Sequence, residues 1–237
     1  MAEIAEFPSP NFDARPEGQG IDILLLHYTG MKSAQAAIGR LCDPQAKVSA
    51  HYLIREDGSV LRLVAEEKRA WHAGQSRWQG ADDINARSIG IELVNPGHEF
   101  GYRPFARAQM AALIDLASAI VTRHAIAPAR VLGHSDVAPL RKQDPGELFD
   151  WGALAEAGVG LWPEARRRPW SADGFLEDLR RYGYDLDGGQ PGDSEAARAA
   201  AIIAFCRHFR PQRLTAWPDD DLAAILNGLI DVAGLRT

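Results

Sequence analysis

Residues 21–30 read IDILLLHYTG. The short, mostly apolar run from Ile21 to Leu26 is the mark of a strand buried on both faces, and such a strand needs a sheet with cover on each side. It ends in His27, Tyr28, Thr29 and Gly30. The sequence around it supplies the rest of a layered domain. Residues 33–42 read as a short helix stopped at Asp43-Pro44. In residues 51–64, HYLIREDGSVLRLV, two apolar-rich runs flank Asp57-Gly58, a strong hairpin signal. Residues 88–94, SIGIELV, alternate: Ile89, Ile91 and Leu93 face one way, Ser88, Gly90 and Glu92 the other. A helix follows over about 106–124, with Met110, Leu113, Ile114, Leu116, Ala117, Ile120 and Val121 at helical spacing. ARVLGH, residues 129–134, reads as a last strand ending at His134. The expected fold is α/β, a central mixed sheet flanked by helices.

The flanks read differently. Pro8, Pro10, Pro16, Gly18 and Gly20 make the first twenty residues an irregular arm. After Trp162-Pro163 the composition shifts to EARRRPW, a basic, proline-bearing linker. Three helical segments follow, near 173–182, 194–208 and 219–233, separated by the glycine-rich 188–192 and by PQRLTAWP. They form a small helical unit near the lower size limit for independent folding. The expected division is a catalytic domain over 1–165 and a three-helix domain over 166–237.

The chain has 237 residues, 46% hydrophobic, with a net charge of −6. A nucleic-acid partner would call for a basic face, which this composition does not offer. Cys42 and Cys206 are too few and too far apart for a disulfide framework or a cysteine zinc site, and read as reduced core thiols. The start has neither a basic n-region nor an apolar h-region, and no stretch approaches the roughly 18 apolar residues of a membrane span. The expected location is cytoplasmic, or periplasmic if an export segment has been trimmed. Oligomeric state is left open.

Two histidines end strands. In open sheets, ligands gather outside the carboxyl ends of the strands. His27 and His134 delivered there could share one metal ion, and Asp144, ten residues further along GHSDVAPLRKQDPG, could complete a three-ligand site with an open position. The competing reading is a pair of hydrogen-bonded structural histidines. Glu92 lies on an otherwise apolar strand, where a carboxylate is costly unless paired or used. Burial would raise its pKa and suit it to proton transfer; the alternative is a solvent-facing edge residue. Lys142 is two residues from Asp144; if that loop is extended both face the site, where its ammonium could meet an oxyanion, the alternative being a solvated loop lysine. Asp136 reads as a turn residue or a support behind the ligands. Trp71-His72-Ala73-Gly74 suits a groove wall or a satisfied turn. His51, His98, His124 and His208 carry no such context.

Six stretches, SPNFDARP, ILLLHYTG, SAHYLI with Asp57-Gly58, AWHAG, NARSIGIELVNPG and GHSDVAPLRKQDPG, together resemble the zinc-dependent N-acetylmuramoyl-L-alanine amidases, whose fold is shared with peptidoglycan-recognition proteins. The resemblance covers about residues 9–150. It implies Zn²⁺ on His27, His134 and Asp144, Glu92 as catalytic acid/base, Lys142 as the stabiliser of the tetrahedral intermediate, and Tyr28, Trp71, His72, Ala73 and Asn85 along the substrate groove. The implied substrate is a muropeptide or peptidoglycan, cut between the lactyl group of N-acetylmuramic acid and L-alanine. LRRYGYD and AFCRHFRP resemble a peptidoglycan-binding three-helix domain, with Arg180, Tyr182 and Phe209 read either as its motif or as helix packing. The family branch with that domain resembles envelope lipoproteins, yet neither a signal peptide nor a lipobox cysteine stands near the start. The expectation is therefore a cytoplasmic enzyme of anhydro-muropeptide recycling. Two rivals are a binding module that does not cut and a zinc hydrolase of another amide.

Overall fold

The computed structural model describes residues 4–188 and 194–236. Of the glycine-rich separator at 188–192, only Gly188 lies among them. The chain begins with β1 (Ile4–Glu6), β2 (Phe12–Ala14), β3 (Ile23–Tyr28) and α1 (Ala34–Cys42). It continues through β4 (Tyr52–Ile54), β5 (Val60–Arg62), β6 (Lys68–Ala70), the single turn α2 (Ile84–Arg87) and β7 (Ser88–Leu93). Then come α3 (Gly97–Phe100), α4 (Arg107–Arg123), β8 (Val131–Gly133), α5 (His134–Val137) and α6 (Trp151–Glu156). The C-terminal part is α7 (Ala172–Tyr182), α8 (Ser194–Phe209) and α9 (Asp220–Val232).

Among the described residues six strands form one sheet, in the order β1-β5-β4-β7-β3-β8. Only β4 and β5 pair antiparallel in it, across the expected hairpin. Asp57 Oδ1 accepts from Ser59 N there at 2.9 Å, and Gly58 takes a left-handed φ of 85°. Strand β3 lies inside the sheet, between β7 and the edge strand β8 and parallel to both, with Ile23 to Leu26 fully buried. Period-two alternation divides its side chains between two cores. Leu24 and Leu26, with Ile89, Ile91 and Leu93, meet Leu113, Leu116, Ala117 and Ile120 of α4. Ile23 and Leu25 face the other way.

That second face is covered by the C-terminal helices. One apolar core runs from Ile23, Leu25 and Leu132 through Trp78 to Phe175, Leu179, Phe205, Leu222 and Leu229. Tyr182 and Phe209 are buried in it, whereas Arg180 is exposed and pairs with Asp187. The basic linker lies against α9: Arg166 N donates to Ala224 O at 2.7 Å, and Arg168 pairs with Asp231 at 2.7 Å. Gly228 admits this contact, since a Cβ there would stand 1.9 Å from the Glu164 carbonyl oxygen. Serine and aspartate caps start the helices: Ser171 accepts from Gly174 N and Asp219 from Leu222 N.

The arm differs from its sequence reading. Residues 4–6 add a parallel edge strand beside β5, and residues 12–14 pair antiparallel with β6. Pro8 and Pro10 fall between the two strands, where no ladder N–H is needed. Arg15 then clasps the arm to the domain, donating to the carbonyls of Glu66, Asn85, Ala86 and Ser88 at 2.7–3.1 Å. Among the described residues no helix is long and apolar enough to cross a membrane.

Candidate metal centre

Strand register builds the site. His27 of β3 is level with Glu92 of β7, and Leu26 is level with Gly133, so the next residue, His134, leaves β8 beside His27. His134 opens α5 instead of closing the strand, and Asp136 Oδ2 accepts from Gly133 N at 2.7 Å to cap that turn. The loop then folds back. Arg141 N and Lys142 N donate to Ala138 O, and Ser135 N donates to the backbone oxygen of Asp144 at 2.9 Å. The peptide between Asp144 and Pro145 is cis.

The result is a tight triangle. His27 Nδ1 and His134 Nδ1 are 2.9 Å apart, and Asp144 Oδ2 lies 3.1 Å from the first and 3.0 Å from the second. All three residues are buried. The donor set fits a cation. His134 Nε2 lies 2.9 Å from the carbonyl oxygen of Ala73, which only accepts, so the ring proton is on Nε2 and Nδ1 presents a lone pair. A lone pair facing a carboxylate oxygen at 3.0 Å needs positive charge between them. Two imidazoles and one carboxylate are also the N/O ligation of a catalytic zinc with a free position. Burial and the neighbouring His134 push the His27 imidazole down to about 4, keeping it in the neutral form that can bind a cation.

Glu92 lines the same cleft. Burial pushes its carboxyl well above the ordinary range, with Asp144 adding to the effect and Lys142 opposing it. Its Oε2 is buried and has no hydrogen-bond partner among the described residues. The cleft, about 430 Å³, is also lined by Tyr28, Trp71, His72, His134, Lys142 and Asp144. Tyr28 donates or accepts at 2.9 Å with His98 Nδ1, on the rim. Ala73 and Asn85 are not among the residues lining the cleft: both are buried, Ala73 within the 71–74 loop and Asn85 behind it. Asn85 Oδ1 accepts from the backbone N–H groups of His72 and Ala73 at 3.0 and 2.7 Å. Gly90 is what makes room for the imidazole of His72, because a Cβ there would stand 2.5 Å from the ring.

Several residues escaped the sequence reading. Arg141 donates to the carbonyls of Ala73 and Gln75 at 2.8 and 2.7 Å, fixing one loop to the other. Asp136 is tied to the C-terminal unit: its Oδ1 accepts from the Tyr184 hydroxyl at 2.6 Å, and its Oδ2 pairs with His208 Nδ1 at 2.8 Å. His208 is itself stacked between Trp151 and Phe209 at 3.7 and 3.9 Å. No short-range motif marks a pairing made across 72 residues.

Known proteins share this architecture. Residues 17–147 match the family described as N-acetylmuramoyl-L-alanine amidase. The N-acetylmuramoyl-L-alanine amidase AmiD of Escherichia coli is 38% identical, over 98% of this chain and 91% of its own length. The 1,6-anhydro-N-acetylmuramyl-L-alanine amidase AmpD of Haemophilus influenzae is 36% identical, over 64% of this chain and 90% of its own. A solved complex of the E. coli amidase AmiD with anhydro-N-acetylmuramic acid-L-Ala-D-gamma-Glu-L-Lys superposes with a TM-score of 0.81, at 36% identity, covering 93% of each chain. With one relative this similar along nearly the whole chain, and the family pattern spanning His27, Glu92, His134 and Asp144, the protein belongs to the N-acetylmuramoyl-L-alanine amidase family.

Proposed function

We propose that the protein is a zinc amidase that cuts the bond between the lactyl group of N-acetylmuramic acid and L-alanine of the stem peptide. The observation that carries the metal is the triangle of His27 Nδ1, His134 Nδ1 and Asp144 Oδ2, all within 3.1 Å of one another. A bound zinc ion there would acidify a water and polarise the scissile carbonyl. Glu92, with a buried and unpartnered Oε2, takes the proton of the attacking water and returns it to the departing amine of L-alanine. Its raised pKa suits both halves of that transfer. Lys142 brings its ammonium to the developing oxyanion. Tyr28 and Trp71, on the cleft wall, contact the sugar or the peptide.

The substrate class follows the relatives, which include amidases named for 1,6-anhydro-muropeptides and one solved with an anhydro-muramyl peptide bound. The recycling role, a cytoplasmic location, and a division into a catalytic unit over 1–165 and a peptidoglycan-binding-like helical unit over 166–237 belong to this proposal. One assay tests its centre. The purified full-length protein is given sacculi and anhydro-muropeptides side by side, with and without a chelator, and products are weighed by mass spectrometry. Release of free stem peptide, abolished by chelation and restored by zinc, is the expected result. Amide cleavage that survives complete metal removal defeats the zinc reading. Fractionation of the protein expressed from its natural start tests the location.

A further inference from the structure

The 71–74 loop does more than border the cleft. Its two central residues reach the outer nitrogens of the two histidines in the triangle. His134 Nε2 donates to the Ala73 carbonyl. His27 Nε2 lies 3.0 Å from His72 Nδ1, and His72 Nε2 lies 3.3 Å from Ser88 Oγ. Ser88 Oγ is 2.6 Å from the carbonyl oxygen of Ile84.

The direction of that chain is set from its far end. A carbonyl oxygen only accepts, so the single hydroxyl proton of Ser88 points to Ile84. Ser88 Oγ therefore accepts from His72, which places the one N–H of a neutral imidazole on Nε2 and leaves a lone pair on Nδ1. His27 must then donate through Nε2, and its own lone pair is on Nδ1, inside the triangle. Two backbone carbonyls, those of Ile84 and Ala73, thus fix both histidines with their lone pairs turned inward. We propose that His72 and Ser88 are positioning residues for the metal, which hold His27 in the tautomer and orientation that ligates, with Asn85 anchoring the loop that serves both histidines. Partners of this kind hold the ring of a ligating histidine and raise its basicity. This assignment moves Ala73 and Asn85 from the substrate groove to the support of the metal, gives that role also to His72 on the cleft wall, and rests on the zinc reading above.

The experiment is a zinc titration of the full-length protein, stripped of metal, against a chromophoric chelator, together with the absorption spectrum of the cobalt-loaded form. His72→Leu is expected to weaken zinc binding by roughly 10–100-fold and to change the cobalt spectrum. His72→Asn places an amide oxygen where Nδ1 stands, and is expected to restore affinity and spectrum toward those of the parent. Ser88→Ala frees the imidazole of His72 to adopt the other tautomer, and is expected to weaken binding in the same sense by less. A His72→Leu protein with parental zinc affinity overturns the inference, as does a His72→Asn protein as weak as His72→Leu. Should the leucine variant fail to fold, Ser88→Ala decides, and unchanged affinity there overturns the inference too. A parent protein that takes up no zinc is a separate result, visible in the first titration, and it overturns the metal reading beneath.

Discussion

Asp136 and Asp144 stand eight residues apart on one loop, and both are buried, at 1% and 5% exposure. Their surroundings are opposites. Asp136 is surrounded by donors: Gly133 N, the Tyr184 hydroxyl and His208 Nδ1, all within 2.8 Å. Asp144 Oδ2 faces His134 Nδ1, a lone pair fixed by the Ala73 carbonyl, and His27 Nδ1. A buried carboxylate among donors is satisfied and structural. A buried carboxylate among lone pairs is incomplete until a cation arrives. The difference lies in what the outer nitrogens of the histidines touch, which no count of acidic residues would reveal.

Glu92 is a third carboxylate, half-buried, and it tests the rule hardest because its buried Oε2 has no hydrogen-bond partner among the described residues. If it serves proton transfer alone, Glu92→Gln should lower turnover by about 10²–10⁴-fold while zinc content stays at the parental value. Metal analysis and kcat measured on one preparation check both halves. Near-parental turnover removes Glu92 from the chemistry.

The two aspartates should separate in a paired experiment. Asp144→Asn deletes the charge of a proposed ligand, so zinc affinity should fall by more than the roughly 10–100-fold typical of losing an outer partner. The metal-free protein should lose little stability, since no donor is orphaned. Asp136→Asn turns an amide N–H toward a donor, and should cost about 2–3 kcal/mol of unfolding free energy in the metal-free protein. Denaturant titration with and without zinc reads both. Equal loss of stability in the two variants would erase the contrast between them.

Much of this was legible in the sequence, and for identifiable reasons. The apolar run before His27 specified a strand buried on both faces, and strands that end together deliver their last residues to one edge. The spacing at Met110 to Val121 marked α4, and the helical segments read near 173–182 and 219–233 matched α7 and α9, to within one or two positions. Glu92 stood out because it breaks an apolar strand. The support behind the ligands was not legible. Ser88 to His72, and His208 to Asp136, are contacts between segments far apart in sequence, made by residue types that are common on surfaces. The arm was misread because three-residue edge strands carry too few positions for a periodicity to register. Its prolines pointed to a loop, whereas they lie between two strands.

The smallest effect concerns a carboxylate outside the site. Glu66 resembles Asp136 in being ringed by donors, but it sits nearer to water: Tyr52 OH donates at 2.7 Å, Arg123 Nη2 at 2.8 Å, and His124 Nε2 lies at 2.5 Å. Burial alone would raise its carboxyl, yet the bonds from Arg123, Tyr52 and His124 pull it down to about 2 from an ordinary value of 4.5. Because the folded value is the lower one, the unfolded chain binds the proton first as pH falls. The contribution of Glu66 is fully present above pH 4.5 and is lost as the pH drops through about 2. Glu66→Gln should therefore be less stable than the parent at neutral pH, and the gap between the two should close across that acid window. Urea midpoints followed from pH 7 downward measure this. A gap that stays constant through the window would mean that Glu66 contributes by shape rather than by charge, and donor-ringed carboxylates near the surface would then fall outside the rule drawn from Asp136.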